Sequence, residues 1–357
     1  MAAPGFSALR VVSVDRDTPE AVLLSLDAGN DPAFRFAHGQ YLTFRHEVDG
    51  VELRRSYSIC STAPGGVLRV GVKRVEGGAF STWATSAVHV GDVLEAMPPM
   101  GSFTHELVPE AARSYVLVAG GSGITPIYSI AATVLTVEPE SRVTLLQVDS
   151  TSSSIMLLDD VEALRNQHLD RFRIWRQLTR EPAGLPVLGG RPDEDSVTEC
   201  LQRGMLDTEP DHVFLCGPEP LVELVRKVYA MHGLEDERIH TELFTAAQSG
   251  RARTRAQGPV DESVTPIGSG TAKLAGRSTE FWLYDGDTIL GAVQRVRPDV
   301  PYACEAGVCS TCRAHLGKGT VEMGTTYGLV PGEEDAGYVL TCQAVPTTST
   351  VNVDFDG

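Results

Sequence analysis

Four cysteines constrain this chain more than any other feature. They stand as Cys304-x4-Cys309-x2-Cys312, with 29 residues between Cys312 and Cys342. Three thiols within nine residues are not the scatter of ordinary core cysteines. Soft thiolates stabilise iron and bridging sulfide, so three of them on a tight loop, with a fourth from elsewhere, form a cage for a metal centre. Gly307 lets that loop wrap closely. Structural zinc modules usually show two separated Cys or Cys/His pairs, and Cys342 has no close Cys or His partner, which ranks zinc second.

The spacing is that of plant-type [2Fe–2S] ferredoxins, so Cys304, Cys309, Cys312 and Cys342 are the expected iron ligands. Seven cysteines in all, an odd number, argue against a disulfide framework. The start, Met1-Ala2-Ala3-Pro4-Gly5, lacks the basic and apolar regions of a signal peptide. The longest charge-free window, Ser114–Val137, is interrupted by Gly120-Gly121-Ser122-Gly123-Ile124-Thr125-Pro126 and reads as strand, turn and helix, not as a membrane span. A cytoplasmic protein with no membrane contact is the expectation. The chain carries 30 Lys+Arg against 47 Asp+Glu, a net charge of −17, which disfavours nucleic acid as a partner. The nine histidines show no paired metal spacing and receive no ligand role.

The 357 residues suggest two or three domains. As far as Phe103 the pattern is short strands (9–14, 21–26, 40–44, 68–72) punctuated by Gly and Pro, as in a small antiparallel barrel. From Tyr115 strands alternate with helices, implying a doubly wound parallel sheet; helices are expected over 126–136, 155–165, 196–203 and 218–231. Periodicity fails between Thr245 and Gly270, which reads as a linker. A third unit follows, with strands at 281–284 and 351–355 and a helix over 288–295.

Several segments carry cofactor chemistry. In Arg54-Arg55-Ser56-Tyr57-Ser58 an arginine can pair with a pyrophosphate and a tyrosine ring can lie against a planar cofactor. Gly77-Gly78-Ala79-Phe80-Ser81 looks like a helix N-terminus preceded by glycines, an anion site. The glycine turn at 120–123 follows the first parallel strand, where backbone amides can approach a diphosphate. Cys216-Gly217-Pro218 ends another strand, with the thiol placed near where a ligand would bind.

In this order, Arg55-Ser-Tyr-Ser58, Gly78-x-x-Ser81, Gly121-Ser-Gly-Ile-Thr-Pro126 and Cys216-Gly-Pro218 resemble the ferredoxin–NADP reductase family, with a plant-type ferredoxin fused behind. The resemblance implies an antiparallel β-barrel FAD domain over 1–106, a parallel-sheet α/β NAD(P) domain over 107–245, a linker over 246–269 and a β-grasp-type [2Fe–2S] domain over 270–357. It implies that Arg55 holds the FAD pyrophosphate, Tyr57 and Ser58 face the isoalloxazine, and Gly78 and Ser81 cap the pyrophosphate. Thr125 lies near the nicotinamide and flavin, Cys216 sits by the hydride-transfer site, and Phe244 closes the flavin site. Ser56, Lys73, Phe80, Gly121, Gly123, Gly217 and Pro218 complete the expected cofactor contacts. Where relatives often carry Asn-Arg after the second parallel strand, this chain has Asp149-Ser150, which favours a free ribose hydroxyl. Against this, Thr179-Arg180 and Gly190-Arg191 match segments that bind a 2′-phosphate in relatives; NADPH and NADH both stay open, with NADPH slightly ahead by family.

Tyr302-Ala-Cys-Glu-Ala-Gly-Val-Cys-Ser-Thr-Cys312 and Tyr338-Val-Leu-Thr-Cys342 are similar to the branch that serves phenylacetyl-CoA epoxidases, and next to the branch of 3-ketosteroid 9α-hydroxylases. The implied activity is electron transfer from NAD(P)H through FAD and the cluster to a separate oxygenase component. A zinc-stabilised scaffold is the alternative of another class. Residues 1–245 carry 21 basic and 34 acidic groups and residues 270–357 carry 6 and 11, so both parts are acidic. Docking between them cannot rest on gross charge opposition, and the linker is expected to enforce proximity.

Overall fold

The computed structural model describes residues 5–48, 51–182, 184–244, 265–330 and 332–357. The first unit is an antiparallel sheet of β1 (Ser7–Thr18), β2 (Ala21–Asp27), β3 (Tyr41–Val48), β4 (Val51–Ser58), β5 (Leu68–Lys73) and β6 (Val93–Ala96) in the order β4-β3-β6-β1-β2-β5. A bridge between Ile59 and Val70 joins the two edges and closes the barrel. Alternation along the strands sends Leu9, Val11, Leu42, Phe44, Val70 and Val72 into its core. Helix α1 (Ala79–Ser86) adds Phe80 and Ala84 to that core.

The second unit is an all-parallel sheet. Its strands are β7 (Ser114–Gly120), β8 (Arg142–Asp149), β9 (Phe172–Leu178), β10 (His212–Gly217) and β11 (Ile239–Leu243), in the order β11-β10-β7-β8-β9. Helices α2 (Ile124–Val137), α3 (Leu158–Gln167), α4 (Glu194–Gln202) and α5 (Glu219–Met231) connect them. The apolar run of β7 is buried on both faces, as a central parallel strand requires. The chain winds from β7 outward through β8 to β9, then returns to the other side of β7. That reversal opens a crevice at the carboxyl ends of β7 and β10.

Helix α3 begins at Leu158, not at residue 155 as the periodicity predicts. Leu157 is left-handed (φ 54°), and its N–H donates to the Asp17 carboxylate of β1 at 3.0 Å. That tie between the units displaces the start of the helix. The charge-free window divides into β7 and α2, and among the described residues no helix is long and apolar enough to cross a membrane.

The third unit has β12 (Gly268–Leu274), β13 (Arg277–Leu283), α6 (Ile289–Gln294), β14 (Arg313–Lys318), β15 (Val321–Met323), β16 (Tyr338–Leu340), β17 (Ala344–Pro346) and β18 (Thr350–Asp354). The main sheet runs β13-β12-β18-β14-β16, with β12 and β18 parallel, while β15 and β17 pair separately. Phe281, Leu290, Val293, Leu340 and Val353 fill the space between sheet and helix. Most of the expected linker lies outside the described residues, but Gly268 and Ser269 already pair within β12.

Candidate functional site

The crevice brings the barrel and the parallel sheet together. Gly123 is the closest approach: a Cβ there would stand 2.3 Å from the carbonyl oxygen of Cys216, so only glycine lets the turn after β7 reach the end of β10. Gly121, at φ +56°, turns the chain there. The Thr125 hydroxyl donates to the Ser122 carbonyl at 2.9 Å. Its methyl presses on the barrel at Gly71, where a Cβ would come within 2.6 Å.

Three side chains from three strands meet in this crevice. Parallel pairing sets Cys216 of β10 opposite Glu242 of β11. The Cys216 thiol lies 3.9 Å from Glu242 Oε2, which accepts from the Ser58 hydroxyl of β4 at 3.4 Å. Burial pushes the Glu242 carboxyl up to about 8. Burial, and then the charge of Glu242, push the Cys216 thiol well above its ordinary range. Burial thus favours the protonated form of both Glu242 and Cys216. Nothing in the run His240-Thr-Glu-Leu-Phe244 singles out Glu242 by sequence; the β10–β11 pairing alone brings it to the site. Phe244 follows directly, its N–H donating to the Gly217 carbonyl at 2.9 Å.

On the barrel side, the Tyr57 ring packs against Phe44 and Phe80, with centroids 6.2 and 5.6 Å away. Ser56 pairs through its hydroxyl with Thr43 at 3.0 Å. Arg55 is half-buried, donates to the Arg54 carbonyl, and makes no ion pair among the described residues, so most of its donors remain free. Ser81 fastens its own turn: its hydroxyl accepts from the Val75 N–H and donates to the Gly78 carbonyl. A Cβ on Gly78 would meet Ser81 Oγ at 2.7 Å. No side chain caps α1, which leaves its first amides to an anion. Such an end beside the free Arg55 suits a pyrophosphate.

At the ends of β8 and β9, the Thr179 N–H donates to the Asp149 carbonyl and the Arg180 N–H to that of Ser150. A bridge from Leu178 to Gly189 brings Gly190-Arg191 beside Thr179-Arg180. The Asp149 carboxylate is buried with neither oxygen hydrogen-bonded. Burial raises it to about 7 against the pull of Lys73 and Arg176. Lys73, from β5, also reaches Gly121, with Nζ 3.9 Å from the position a Cβ would take there.

The cysteine loop lies between α6 and β14. Glu305, Gly307 and Ser310 all take positive φ (52°, 74° and 56°), which coils the backbone inward. A Cβ on Gly307 would strike the Gln343 side chain at 2.8 Å. Gln343 Nε2 donates to the Glu305 carbonyl and Thr341 Oγ1 to that of Cys312, so the segment carrying Cys342 is stitched to the loop. Cys309 Sγ accepts from the Cys304 N–H at 3.5 Å, and the N–H and hydroxyl of Thr341 both donate to the Cys312 carbonyl, which sets Cys304 beside Cys309 and Cys342 beside Cys312. Among the described residues no three His, Cys, Asp or Glu side chains converge on one ion. Two adjacent pairs fit a two-iron cluster, which takes two thiolates per iron, better than they fit one tetrahedral zinc. A hydrogen bond from Cys309 and the amides of Ala306, Val308 and Cys309 pull the Cys304 thiol down to about 6. Hydrogen bonding to Cys304 and burial raise Cys309.

Comparison with known proteins agrees with this division. An oxidoreductase FAD-binding domain family matches residues 10–105, an oxidoreductase NAD-binding domain family residues 117–227, and a 2Fe-2S iron-sulfur cluster binding domain family residues 272–347. One component of the 1,2-phenylacetyl-CoA epoxidase of Escherichia coli (strain K12) is 37% identical over 355 residues, 98% of each chain. The 3-ketosteroid-9-alpha-monooxygenase ferredoxin reductase component of Rhodococcus rhodochrous is 28% identical over 354 residues, 97% of this chain and 95% of the other. Phthalate dioxygenase reductase shares the fold at a TM-score of 0.59, with 23% identity and 98% of each chain covered. These matches set aside the zinc-stabilised scaffold. The chain belongs to the ferredoxin–NADP reductase-like flavoproteins with a fused C-terminal plant-type [2Fe–2S] domain, oxidoreductases that pass electrons from NAD(P)H through FAD to the cluster.

Proposed function

We propose that this protein is the reductase component of a phenylacetyl-CoA epoxidase, acting in the cytoplasm in phenylacetate catabolism. The observation that carries the reading is the 37% identity to the epoxidase component across 98% of both chains, against 28% for the steroid-oxygenase relative. None of the seven cysteines is paired in a disulfide, which suits a reducing compartment.

The bound cofactors supply hydride acceptance at the flavin and one-electron transfer at the cluster. In our reading residues 1–106 hold FAD, 107–245 hold NAD(P)H, and 270–357 hold the cluster through Cys304, Cys309, Cys312 and Cys342. Arg55 and the amides after Gly78 hold the FAD pyrophosphate, with Ser56, Phe80 and Ser81 shaping that turn. Tyr57, Ser58 and Phe244 border the flavin ring. Gly121, Gly123, Gly217 and Pro218 let the nicotinamide nucleotide approach the backbone, with Lys73 beside its phosphates. Thr125 packs the turn against the barrel, and Cys216 with Ser58 and Glu242 lines the reacting face while excluding water. Thr179, Arg180 and Arg191 receive the 2′-phosphate of NADPH.

The test is reconstitution with purified oxygenase components. Turnover of phenylacetyl-CoA with its epoxidase, and none with a 3-ketosteroid 9α-hydroxylase, supports the reading; the reverse pattern overturns it. Arg180→Ala should lower kcat/KM for NADPH about tenfold while leaving that for NADH nearly unchanged, as loss of one charge-assisted contact predicts.

A further inference from the structure

We propose that Tyr41 and Arg54 of the barrel form a latch for the iron–sulfur loop, and that Tyr41 directs the Thr311 hydroxyl onto the sulfur of Cys309. The inference rests on the reading of Cys309 as an iron ligand.

Tyr41 opens β3 and is buried. Reciprocal backbone hydrogen bonds with Met100, at 2.9 and 3.0 Å, fix its backbone. The absence of a side chain at Gly101 makes room for the ring, since a Cβ there would sit 3.1 Å from it. The hydroxyl leaves the barrel altogether: it donates to the backbone carbonyl of Cys309 and lies 2.9 Å from Thr311 Oγ1. Ala303 and Cys309 pack on the same ring, with Met100 and Cys304 around them.

Thirteen residues along, on the paired strand, Arg54 makes the second contact. Its side chain is only 7% exposed. The guanidinium lies 4.1 Å from the centroid of the Tyr302 ring, donates to the Val300 carbonyl at 3.3 Å, and is oriented by Glu52 at 2.9 Å. Both residues lie on the strand pair that carries Ser58, which stands directly opposite Tyr41. The latch therefore joins the iron–sulfur loop to the strands that form the flavin side of the crevice. It needs no opposition of net charge, which the two acidic units cannot supply.

Proton bookkeeping links the latch to the cluster. Two hydroxyl protons are available, on Tyr41 and Thr311. Thr311 Oγ1 lies 3.2 Å from Cys309 Sγ and 3.4 Å from the Cys309 carbonyl oxygen. With the carbonyl served by Tyr41, the Thr311 proton is shared between the Tyr41 oxygen, at 2.9 Å, and the ligand sulfur, at 3.2 Å. Without the Tyr41 hydroxyl, the buried carbonyl recruits Thr311, because an unmet buried acceptor is costly. The sulfur then loses a donor. Hydrogen bonds to cluster sulfurs offset the negative charge gained on reduction, so their loss lowers the reduction potential.

The experiment uses the full chain with flavin and cluster in place. Tyr41→Phe keeps the ring and removes only the hydroxyl. Redox titration followed by electron paramagnetic resonance should show the cluster potential shifted negative in Tyr41→Phe and in Thr311→Val, with the double variant adding little to either. Limited proteolysis should release the C-terminal unit roughly tenfold faster in Arg54→Ala, in keeping with loss of a desolvated cation–π contact. An unchanged potential in a Tyr41→Phe protein with full iron and sulfide overturns the relay, and unchanged proteolysis in Arg54→Ala overturns the latch. A parent protein without acid-labile sulfide or a reduced-cluster signal instead overturns the ligand reading on which both rest.

Discussion

Cys216 and Cys304 are the same residue type in two regions of one chain, and their surroundings drive them in opposite directions. Cys216 ends a fully buried parallel strand and faces a carboxyl group, so burial and that neighbour keep its proton on. Cys304 sits on a coiled loop among amide donors and a partner thiol, which favour the thiolate. In the proposed function a hydride crosses the first region, where a dry, uncharged wall serves it. The second is proposed to hold the cluster, and metal binds thiolate. The chemistry of a cysteine is thus set by the donors aimed at it.

The largest effect expected from this contrast is at the loop. Cys312→Ser should remove most of the iron and acid-labile sulfide and abolish oxygenase-coupled turnover, while reduction of ferricyanide by NAD(P)H persists. A full complement of iron in that variant would break the comparison. Next, Glu242→Ala should slow flavin reduction in single-turnover experiments by about 10–100-fold, as the proposed role of the Ser58–Glu242–Cys216 wall in positioning the reacting groups requires; an unaltered rate would separate the wall from the chemistry.

Smaller effects come through pH. The folded-state pKa of Glu242, about 8, lies above its unfolded value of 4.5, so its contribution to stability is complete below 4.5 and is lost as pH rises through 8. Asp149, at about 7, acts in the same direction. His38 and His240, both lowered to about 4 by burial, act in the opposite direction: their contribution is complete above 6.5 and is lost as pH falls toward 4. The melting temperature should therefore fall on both sides of a near-neutral maximum. Glu242→Gln should flatten the alkaline limb by a few degrees, and His240→Phe the acid limb. The smallest effect expected is from Arg69→Ala. This breaks a bidentate pair with Asp160, at 2.6 and 3.0 Å, between the barrel and α3, and should cost about 1 kcal/mol or less in denaturant titrations because the pair is partly hydrated.

The four histidines His38, His105, His212 and His240 show where sequence reading stops. They are scattered over two units, yet they pack together near the amino ends of β7, β10 and β11, at the opposite end of the strands from the crevice. His105 Nε2 meets the Tyr115 hydroxyl at 2.9 Å, His212 Nδ1 meets His240 Nε2 at 3.1 Å, and His240 stacks on Phe214 at 4.3 Å. No spacing announces such a cluster, because only strand pairing creates it. Glu242 is hidden in the sequence for the same reason. The cysteine quartet and the glycine turns were legible because their chemistry is local. A loop that wraps a cluster, or a turn that admits a diphosphate, needs its residues at fixed short spacings whatever surrounds it.

By itself, then, the sequence determined the three kinds of unit, their order, and the residue types able to hold two nucleotides and a two-iron cluster. Tertiary structure decided which distant groups face one another: Glu242 against Cys216 and Ser58, Lys73 against Gly121, and Tyr41 against Cys309, 268 residues away. The physical reason is that periodicity and turn chemistry act over a few residues. Burial, cross-strand register and the docking of one unit on another act through space, and they set proton affinities and hydrogen-bond partners that no local pattern records.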